Sequence, residues 1–457
     1  MLETNCSFLE NEILDVARLF KQKPQSIRHT FSYKEGVFSN TFLIDGETFC
    51  FEDVGQVCDE LTYKRLERRF AKLHLYEILS EKYQEEMPWG ALTGIRPTKL
   101  AYTEIEEGRS FVPLFEKMRV KKENIRLIEN ILDTQKGIYE KRNGNTDFFV
   151  SIPFCPSKCA YCSFITAPIE KTRAFLPAYL QCLEKEIQSS IQSVQNLRSI
   201  YIGGGTPFAL DVLDLERVLK ALTPLQRLAP NVEYTVEAGR PDVFSVDKLK
   251  LLADYNVNRI CINPQTFCDE TLKTIGRKHT VADFYNAYNL TNKYNFTVNI
   301  DLIAGLEGES VESFSAGVKK AVETGAENIT VHCLSLKSGA KLKEEISYIE
   351  NNFVSAMVAS SREILSESGY LPYYLYRQKY QAGNNENVGW TKPGKACIYN
   401  VDAMEEIADT IAVGANAISK RVYVESGLIT RLGSQKDLRS YIDNIEETIK
   451  KKRNFFE

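Results

Sequence analysis

With 457 residues the chain exceeds what one compact core usually serves, roughly 100–200 residues, so two or three domains are expected. A composition of 43% hydrophobic and 26% charged residues excludes a disordered, collagen-like or coiled-coil chain. The 57 basic side chains are outnumbered by 61 acidic ones, which excludes the basic field that nucleic-acid binding relies on, and no apolar run approaches the roughly 20 residues of a membrane span. A cytoplasmic protein with neither nucleic acid nor membrane as its main partner is expected.

Residues 1–145 predict a small α+β domain. The strand-like stretches HTFSY, VFSNTFLI and TFCFEDV are separated by turn signals at Glu35-Gly36 and Asp45-Gly46, and a helical run extends from about Leu61 to Tyr83. In TGIRPTKL, Thr93 to Leu100, Gly and Pro are expected to break any periodic element before a second helical stretch near Glu123 to Glu140. The polar KRNGNTD, Lys141 to Asp147, marks a boundary.

Residues 146–340 change pattern. FFVSI, SIYIGGG, VEYTVEAG, NRICINPQ, TVNIDLIAG and NITVHCLS are short apolar runs separated by helix-length stretches. They predict repeated βα units on a mainly parallel sheet, either doubly wound or rolled into a full or partial barrel. In such folds the residues that end each strand gather at the carboxyl edge, where binding and catalytic groups collect. Residues 341–457 read as a long helical stretch, a Tyr-, Gly- and Asn-rich segment from Gly369 to Tyr399, and a mixed C-terminal module that is expected to help close a substrate site. The basic run Lys450 to Arg453 reads as a solvated helix end.

Eleven cysteines, an odd number and mostly scattered singly, suit a reducing compartment. Three of them cluster: Cys155, Cys159 and Cys162 stand in SIPFCPSKCAYCSF, directly after the first strand of the series, spaced C-x3-C-x2-C. Soft thiolates suit zinc or an iron–sulfur cluster, and three on one loop can bind three corners of a cubane, leaving one iron open. None of the four histidines, His29, His74, His279 and His332, lies in this loop to complete a zinc site.

This loop resembles the signature of the radical S-adenosylmethionine enzymes. The flanking IPFC and YC are similar to the oxygen-independent coproporphyrinogen III oxidase group, which also contains heme chaperones. TGIRPTKL, QTFCDETLKTIGRKHT, YYLYRQKYQAGNNENVG and VGANAISKRVY together resemble its HemZ-type members. The resemblance implies an α/β fold with a partial (βα)6 TIM-like barrel, a 4Fe-4S cluster on Cys155, Cys159 and Cys162, and bound S-adenosylmethionine. It implies that Gly203, Gly204, Gly205 and Thr206 of YIGGGTP approach the methionine end of that cofactor, and that Glu237 of YTVEAGRPD meets the ribose. Gln265, Arg277 and Asp301 match further cofactor-contacting positions. Relatives often carry histidine where this chain has Ser151 and a fourth cysteine where it has Phe164.

The activity so implied is the oxidative decarboxylation of coproporphyrinogen III to protoporphyrinogen IX in heme biosynthesis. A 5'-deoxyadenosyl radical removes hydrogen from a propionate, carbon dioxide leaves, and an external acceptor takes the remaining electron. A donor such as flavodoxin or ferredoxin would reduce the cluster. A heme chaperone without turnover, and a radical enzyme acting on heme or another tetrapyrrole, remain open alternatives. Cations for a tetrapyrrole's carboxylates are Arg377, Lys379, Arg421, and Arg96 with Lys99; Tyr373, Tyr374 and Tyr376 offer stacking surfaces, and His332 a proton donor or heme ligand. Cys261, Cys268, Cys333 and Cys397 read as buried small hydrophobes.

Overall fold

In the computed structural model, residues 2–94, 96–162, 167–335, 351–378 and 384–457 are described. They divide into two units, Met1–Glu129 with Gly383–Asn385, and Asn130–Ala382 with Glu386–Glu457.

In the first unit β1 (Leu2–Thr4) lies parallel to β2 (Ile27–Lys34), which continues as an antiparallel meander through β3 (Val37–Ile44) and β4 (Glu47–Val54). Both hairpin turns fall at the expected dipeptides, each with both residues in the left-handed region: Glu35 at 51° and Gly36 at 83°, Asp45 at 50° and Gly46 at 93°. That backbone twist matches the twist of the flanking strands. Strand β3 alternates, burying Phe38, Phe42 and Ile44 on the face that meets the helix Glu60–Tyr83. Asp59 caps that helix by accepting from the Thr62 N–H. TGIRPTKL departs from its reading as a breaker. Pro97 opens the helix Pro97–Glu106, where its missing N–H would have had no partner and its fixed φ is already helical.

The second unit carries β5 (Asn145–Ile152), a short pair β6 (Phe154–Cys155) and β7 (Ala167–Pro168), then β8 (Asn196–Gly204), β9 (Glu233–Gly239), β10 (Arg259–Ile262), β11 (Thr297–Ala304) and β12 (Asn328–Cys333). After these come β13 (Leu371–Tyr376), β14 (Asn387–Thr391), β15 (Asp409–Val413), β16 (Ile418–Tyr423) and β17 (Leu428–Gly433). Among the described residues they form one sheet ordered β13-β14-β12-β11-β10-β9-β8-β5-β15-β16-β17, apart from the β6–β7 pair. The predicted strands are β5 and β8 to β12, all parallel to their neighbours within that series. The order is linear, as a partial TIM-like barrel requires. Residues beyond 340 extend this sheet at both flanks: β14 pairs antiparallel with β12, and β15 pairs parallel with β5.

Parallel strands covered on both faces read as continuous apolar runs, and Ile200, Ile202, Val236, Ile260 and Ile300 are fully buried. The covering helices start on polar caps just past the strands. Asp211 caps Val212–Leu228, Ser245 caps Val246–Asp254, and capping boxes at Thr280/Asp283 and Ser310/Ser313 open Val281–Thr291 and Val311–Glu323. In the run Lys450–Arg453, Lys450, Lys451 and Arg453 are exposed as expected and Lys452 departs from its reading. The run lies in the helix Ile445–Phe456, and Lys452 is only 4% exposed, bonded to Glu186 and to the Ala412 carbonyl. Glu186 also accepts from Tyr441 Oη at 2.6 Å, so this lysine is a buried anchor of the last helix. No helix among the described residues is long and apolar enough to cross a membrane.

Candidate functional site

The cysteine loop begins where β5 ends, and its course is fixed by contacts from three later strand ends. Thr206, just past β8, donates its N–H to the Phe154 carbonyl at 2.8 Å, and Gly205 donates to Ile152 at 2.7 Å. Arg240, just past β9, reaches Ser157 Oγ with Nη1 at 2.5 Å. From beyond β10, the Ile275 carbonyl accepts the Ala160 N–H at 3.0 Å, and Arg277 Nη2 donates to Tyr161 Oη at 3.0 Å.

All eleven cysteines are free thiols; Cys159 is buried, while Cys155 and Cys162 are half-buried. Cys155 Sγ lies 3.4 Å from Thr206 Oγ1, and burial pushes its thiol up to about 11. A metal that binds there must displace that proton, which a thiolate-seeking cluster does and a weak ion does not. Among the described residues no three His, Cys, Asp or Glu side chains converge on one ion position. Each thiolate of a cubane binds a different iron, so its ligands need not meet at one point, and the donor set fits.

The glycine run is packed between this loop and β9. A Cβ on Gly205 would lie 2.6 Å from the Phe154 carbonyl oxygen, and one on Gly203 would lie 2.8 Å from Glu237 Oε2. Larger residues would therefore displace either the root of the cysteine loop or the carboxylate.

Glu237 points to the same edge. It accepts from Tyr201 Oη at 2.5 Å, and Tyr201 stacks on Tyr399 at 4.2 Å between ring centres. Burial pushes the Glu237 carboxyl up to about 7; the Tyr201 bond opposes the rise and the neighbouring Asp301 adds to it. Gln265 sits at φ 70°, and its backbone bonds to β11 on both sides, N–H to Asp301 O at 3.0 Å and O from Ile303 N–H at 2.9 Å. Its carboxamide is buried, and Oε1 has no hydrogen-bond partner among the described residues. The same holds for Asn263 Oδ1 and Arg277 Nε, while Arg277 Nη1 donates to the Asn263 carbonyl at 2.5 Å. Buried polar atoms left unbonded in a native fold call for a ligand or water to complete them. Asp301 Oδ1 lies 3.7 Å from His332 Nε2, and His332 Nδ1 lies 3.0 Å from Tyr376 Oη.

The structure thus gathers the cysteine loop, the glycine run, Glu237, Gln265, Arg277 and Asp301 at one carboxyl edge. Other candidates lie elsewhere. Arg421 Nη1 donates to the Phe455 carbonyl at 2.8 Å, so it holds the last helix. Tyr373 is fully buried with its hydroxyl bonded to Asn400, and Tyr374 packs beneath Gly389 with its hydroxyl 3.1 Å from Thr330. Arg377 is buried, which pulls it down to about 10 against the opposing charge of Glu386. Arg96 and Lys99 belong to the first unit, at the start of the helix Pro97–Glu106. Cys261, Cys333 and Cys397 are buried as expected, but Cys268 is half-buried with Sγ 3.3 Å from Glu270. Lys379 and Phe164 lie outside the described residues. Sequence reasoning gave no role to Arg240, Asn263, Tyr201 or Tyr399; an arginine two residues before an aspartate in GRPD was the available signal for the first.

Comparison with known proteins bears on this edge. The radical SAM superfamily profile matches residues 149–320, from β5 to the helix after β11. The oxygen-independent coproporphyrinogen-III oxidase-like protein HemZ of Bacillus subtilis is 36% identical over 389 residues, 81% of this chain and 77% of that protein. The chain belongs to the HemZ-like family of radical SAM proteins. Superfamily members bind a 4Fe-4S cluster and S-adenosylmethionine, and these are the family's cofactors. The heme chaperone HemW of Lactococcus lactis is 39% identical over 194 residues, 42% of this chain and 50% of that protein. In fold, this chain resembles coproporphyrinogen III oxidase (HemN) of Escherichia coli, with a TM-score of 0.54 at 21% identity over 67% of this chain and 70% of that one.

Proposed function

We propose that the protein is a cytoplasmic radical S-adenosylmethionine enzyme that oxidatively decarboxylates coproporphyrinogen III to protoporphyrinogen IX, with Cys155, Cys159 and Cys162 as cluster ligands. The observation that carries the reading is the carboxyl edge itself: the loop that carries three cysteines is bonded at its root to the glycine run, Cys155 Sγ lies against Thr206, and the unbonded atoms of Gln265, Asn263 and Arg277 stand at the same edge. Similarity to HemZ over 77% of that protein's length supports the choice of substrate.

When bound, the cluster and S-adenosylmethionine supply the one-electron chemistry that opens a carbon–hydrogen bond of the substrate. The chain's own residues position and shield. Backbone groups of Gly203, Gly204, Gly205 and Thr206 would hold the methionine end, and at Gly203 and Gly205 a Cβ would already collide with Glu237 or the Phe154 carbonyl. Arg277, with Nη1 and Nη2 bonded to Asn263 and Tyr161, would offer its unbonded Nε to the methionine carboxylate. Glu237, Asp301 and Gln265 accept from the sugar and base side. The stack of Phe149, Tyr201 and Tyr399 backs Glu237 with apolar surface and excludes water there. Each propionate turned to vinyl gives up one hydrogen, carbon dioxide and one electron to an external acceptor, and a donor such as flavodoxin or ferredoxin delivers the reducing electron.

A heme chaperone is the second reading, favoured by the similarity to HemW. His332 supports it: His29, His74 and His279 are buried, whereas the His332 side chain is 25% exposed. A radical enzyme acting on heme or another tetrapyrrole is the third. Anaerobic incubation with reductant, S-adenosylmethionine and coproporphyrinogen III separates them. Vinyl product together with 5'-deoxyadenosine is expected; 5'-deoxyadenosine without vinyl product removes the oxidase reading, and stoichiometric heme binding in its place selects the chaperone.

A further inference from the structure

Among the described residues, Arg240 is the one buried guanidinium that crosses from a strand end into the segment between the first two clustered cysteines. It is 3% exposed. Nε and Nη2 form a fork on Asp242 at 2.9 and 2.7 Å, and this fork fixes the plane of the guanidinium. Nη1 is thereby aimed at Ser157, 2.5 Å from Oγ and 3.5 Å from the carbonyl oxygen. Ser157 lies midway between Cys155 and Cys159 in a stretch with no helix or strand of its own beyond Cys155. Of the contacts given above, those from Thr206 fall on Phe154 and Cys155, and those from Ile275 and Arg277 fall on Ala160 and Tyr161 beyond Cys159. The side chain of His279 fills the space beside the fork, 3.9 Å from Asp242 Oδ1, and burial pulls it down to about 4, so it stands there uncharged. The positive end of the Arg240–Asp242 pair is therefore the end turned toward the cysteine loop.

We propose that Arg240 is a positioning residue for the iron–sulfur cluster: it clamps the turn between Cys155 and Cys159 and places a fixed positive charge beside the bound cluster. The inference rests on the reading of Cys155, Cys159 and Cys162 as cluster ligands. It has two separable consequences. The clamp holds two ligands at their spacing before iron arrives, and partners one step removed from a metal commonly set affinity by about 10–100-fold. The charge favours the reduced, more negative cluster, so it raises the reduction potential. A lysine keeps the charge but lacks the fork that aims it.

The test uses the full chain, wild type beside Arg240→Gln, Arg240→Lys, Ser157→Ala and Cys159→Ala, reconstituted anaerobically with iron and sulfide. Three quantities are read: the rate of iron loss to a chelator, the midpoint potential of the cluster, and, before reconstitution, the rate of tryptic cleavage after Lys158. Arg240→Gln is expected to lose iron about 10-fold faster or more, to be cut faster after Lys158, and to show a more negative midpoint. Arg240→Lys is expected to restore the midpoint but not the resistance to chelator. Wild-type iron loss and potential in a folded Arg240→Gln variant overturn the inference. If that variant does not fold, Ser157→Ala deletes only the acceptor hydroxyl; several-fold faster iron loss supports the clamp and an unchanged rate overturns it. A wild type that takes up no more iron than Cys159→Ala overturns the ligand reading itself, and the clamp with it.

Discussion

The two ends of the parallel sheet treat buried polarity in opposite ways. At the amino ends, polar groups are turned on one another. Arg259 reaches Asn299 at 2.9 Å, Asn328, the carbonyls of Lys395 and Ala396 at 3.0 and 3.1 Å, and Glu233 at 3.1 Å. Glu233 also accepts from the Ile398 and Tyr399 N–H groups at the start of the helix Ile398–Glu405, whose Asp402 binds Arg198 at 2.5 and 2.9 Å. At the carboxyl ends, side chains are fixed through backbone or through part of their polar atoms, while Gln265 Oε1, Asn263 Oδ1 and Arg277 Nε stay unbonded among the described residues. Arg259 Nε, Asp147 Oδ2, Tyr234 Oη and Thr235 Oγ1, toward the amino ends, are unbonded among the described residues too, so what marks the carboxyl end is that its unbonded atoms stand beside the cysteine loop, where Arg277 bonds Tyr161. One end thus closes the scaffold, and the proposed function has the other completed by ligands. Variants at the first should change stability and leave cofactor binding intact; variants at the second should do the reverse.

The largest effect expected at the carboxyl end is on Cys159. Cys159→Ala should abolish the iron–sulfur absorbance after reconstitution, with little change in the denaturation midpoint of the unloaded protein; an unchanged spectrum would refute the ligand assignment. Its counterpart is Arg259→Met. That change leaves Glu233, whose side chain is 8% exposed, without its cation, and should lower stability by about 3 kcal/mol in urea unfolding. Iron content per folded chain should stay at the wild-type level, and a loss of iron uptake in the folded variant would break the division between the two ends.

Glu237 gives a smaller effect with a definite sign. Its carboxyl, raised to about 7 by burial, is neutral below that pH and charged above it. Hydroxyl donors bind a carboxylate more strongly than a neutral acid, so wild-type affinity for S-adenosylmethionine should rise as pH increases through about 7. Glu237→Gln should bind about 10-fold more weakly at pH 8, as expected for losing a bond to a charged group, and should lack the rise. Calorimetric titration at pH 6 and pH 8 reads both, and an equal rise in the variant would assign the pH dependence to another group.

Much of this division was legible in the sequence. The predicted strands appear as β5 and β8 to β12 because short apolar runs bounded by glycine and polar residues admit few other structures. The cysteine spacing and YIGGGTP marked the candidate site for the same local reason. Features that depend on distant partners were not legible. Lys452 looks like any solvated lysine in a basic run, and only a partner 266 residues away reveals that it is buried. Arg240 meets Ser157 across 83 residues, so its place could not be read from GRPD alone. The addition of β15 beside β5 is likewise a choice among sheet edges that local pattern does not make.

The smallest expected effect is at Asp147, and it tests the amino end most sharply. The residue is fully buried; Ser199 donates to Oδ1 at 2.5 Å, and Oδ2 has no partner among the described residues. Burial pushes this carboxyl well above its ordinary 3.8, Asp402 adds to the rise, and the Ser199 bond and Arg198 oppose it. The folded protein therefore holds this proton more tightly than the unfolded chain does. Stability contributed by the protonated form is present below the ordinary value and is lost as pH rises toward the folded value. An asparagine keeps the shape and the acceptor for Ser199 but never ionises. Asp147→Asn should match wild type near pH 4 and exceed it by about 1 kcal/mol at pH 8, the scale of relieving one unsatisfied buried group. Urea unfolding at the two pH values measures the gap, and iron uptake should be unchanged at both. A variant that loses stability as pH rises relative to wild type would mean that the charged carboxylate is itself part of what closes the amino end.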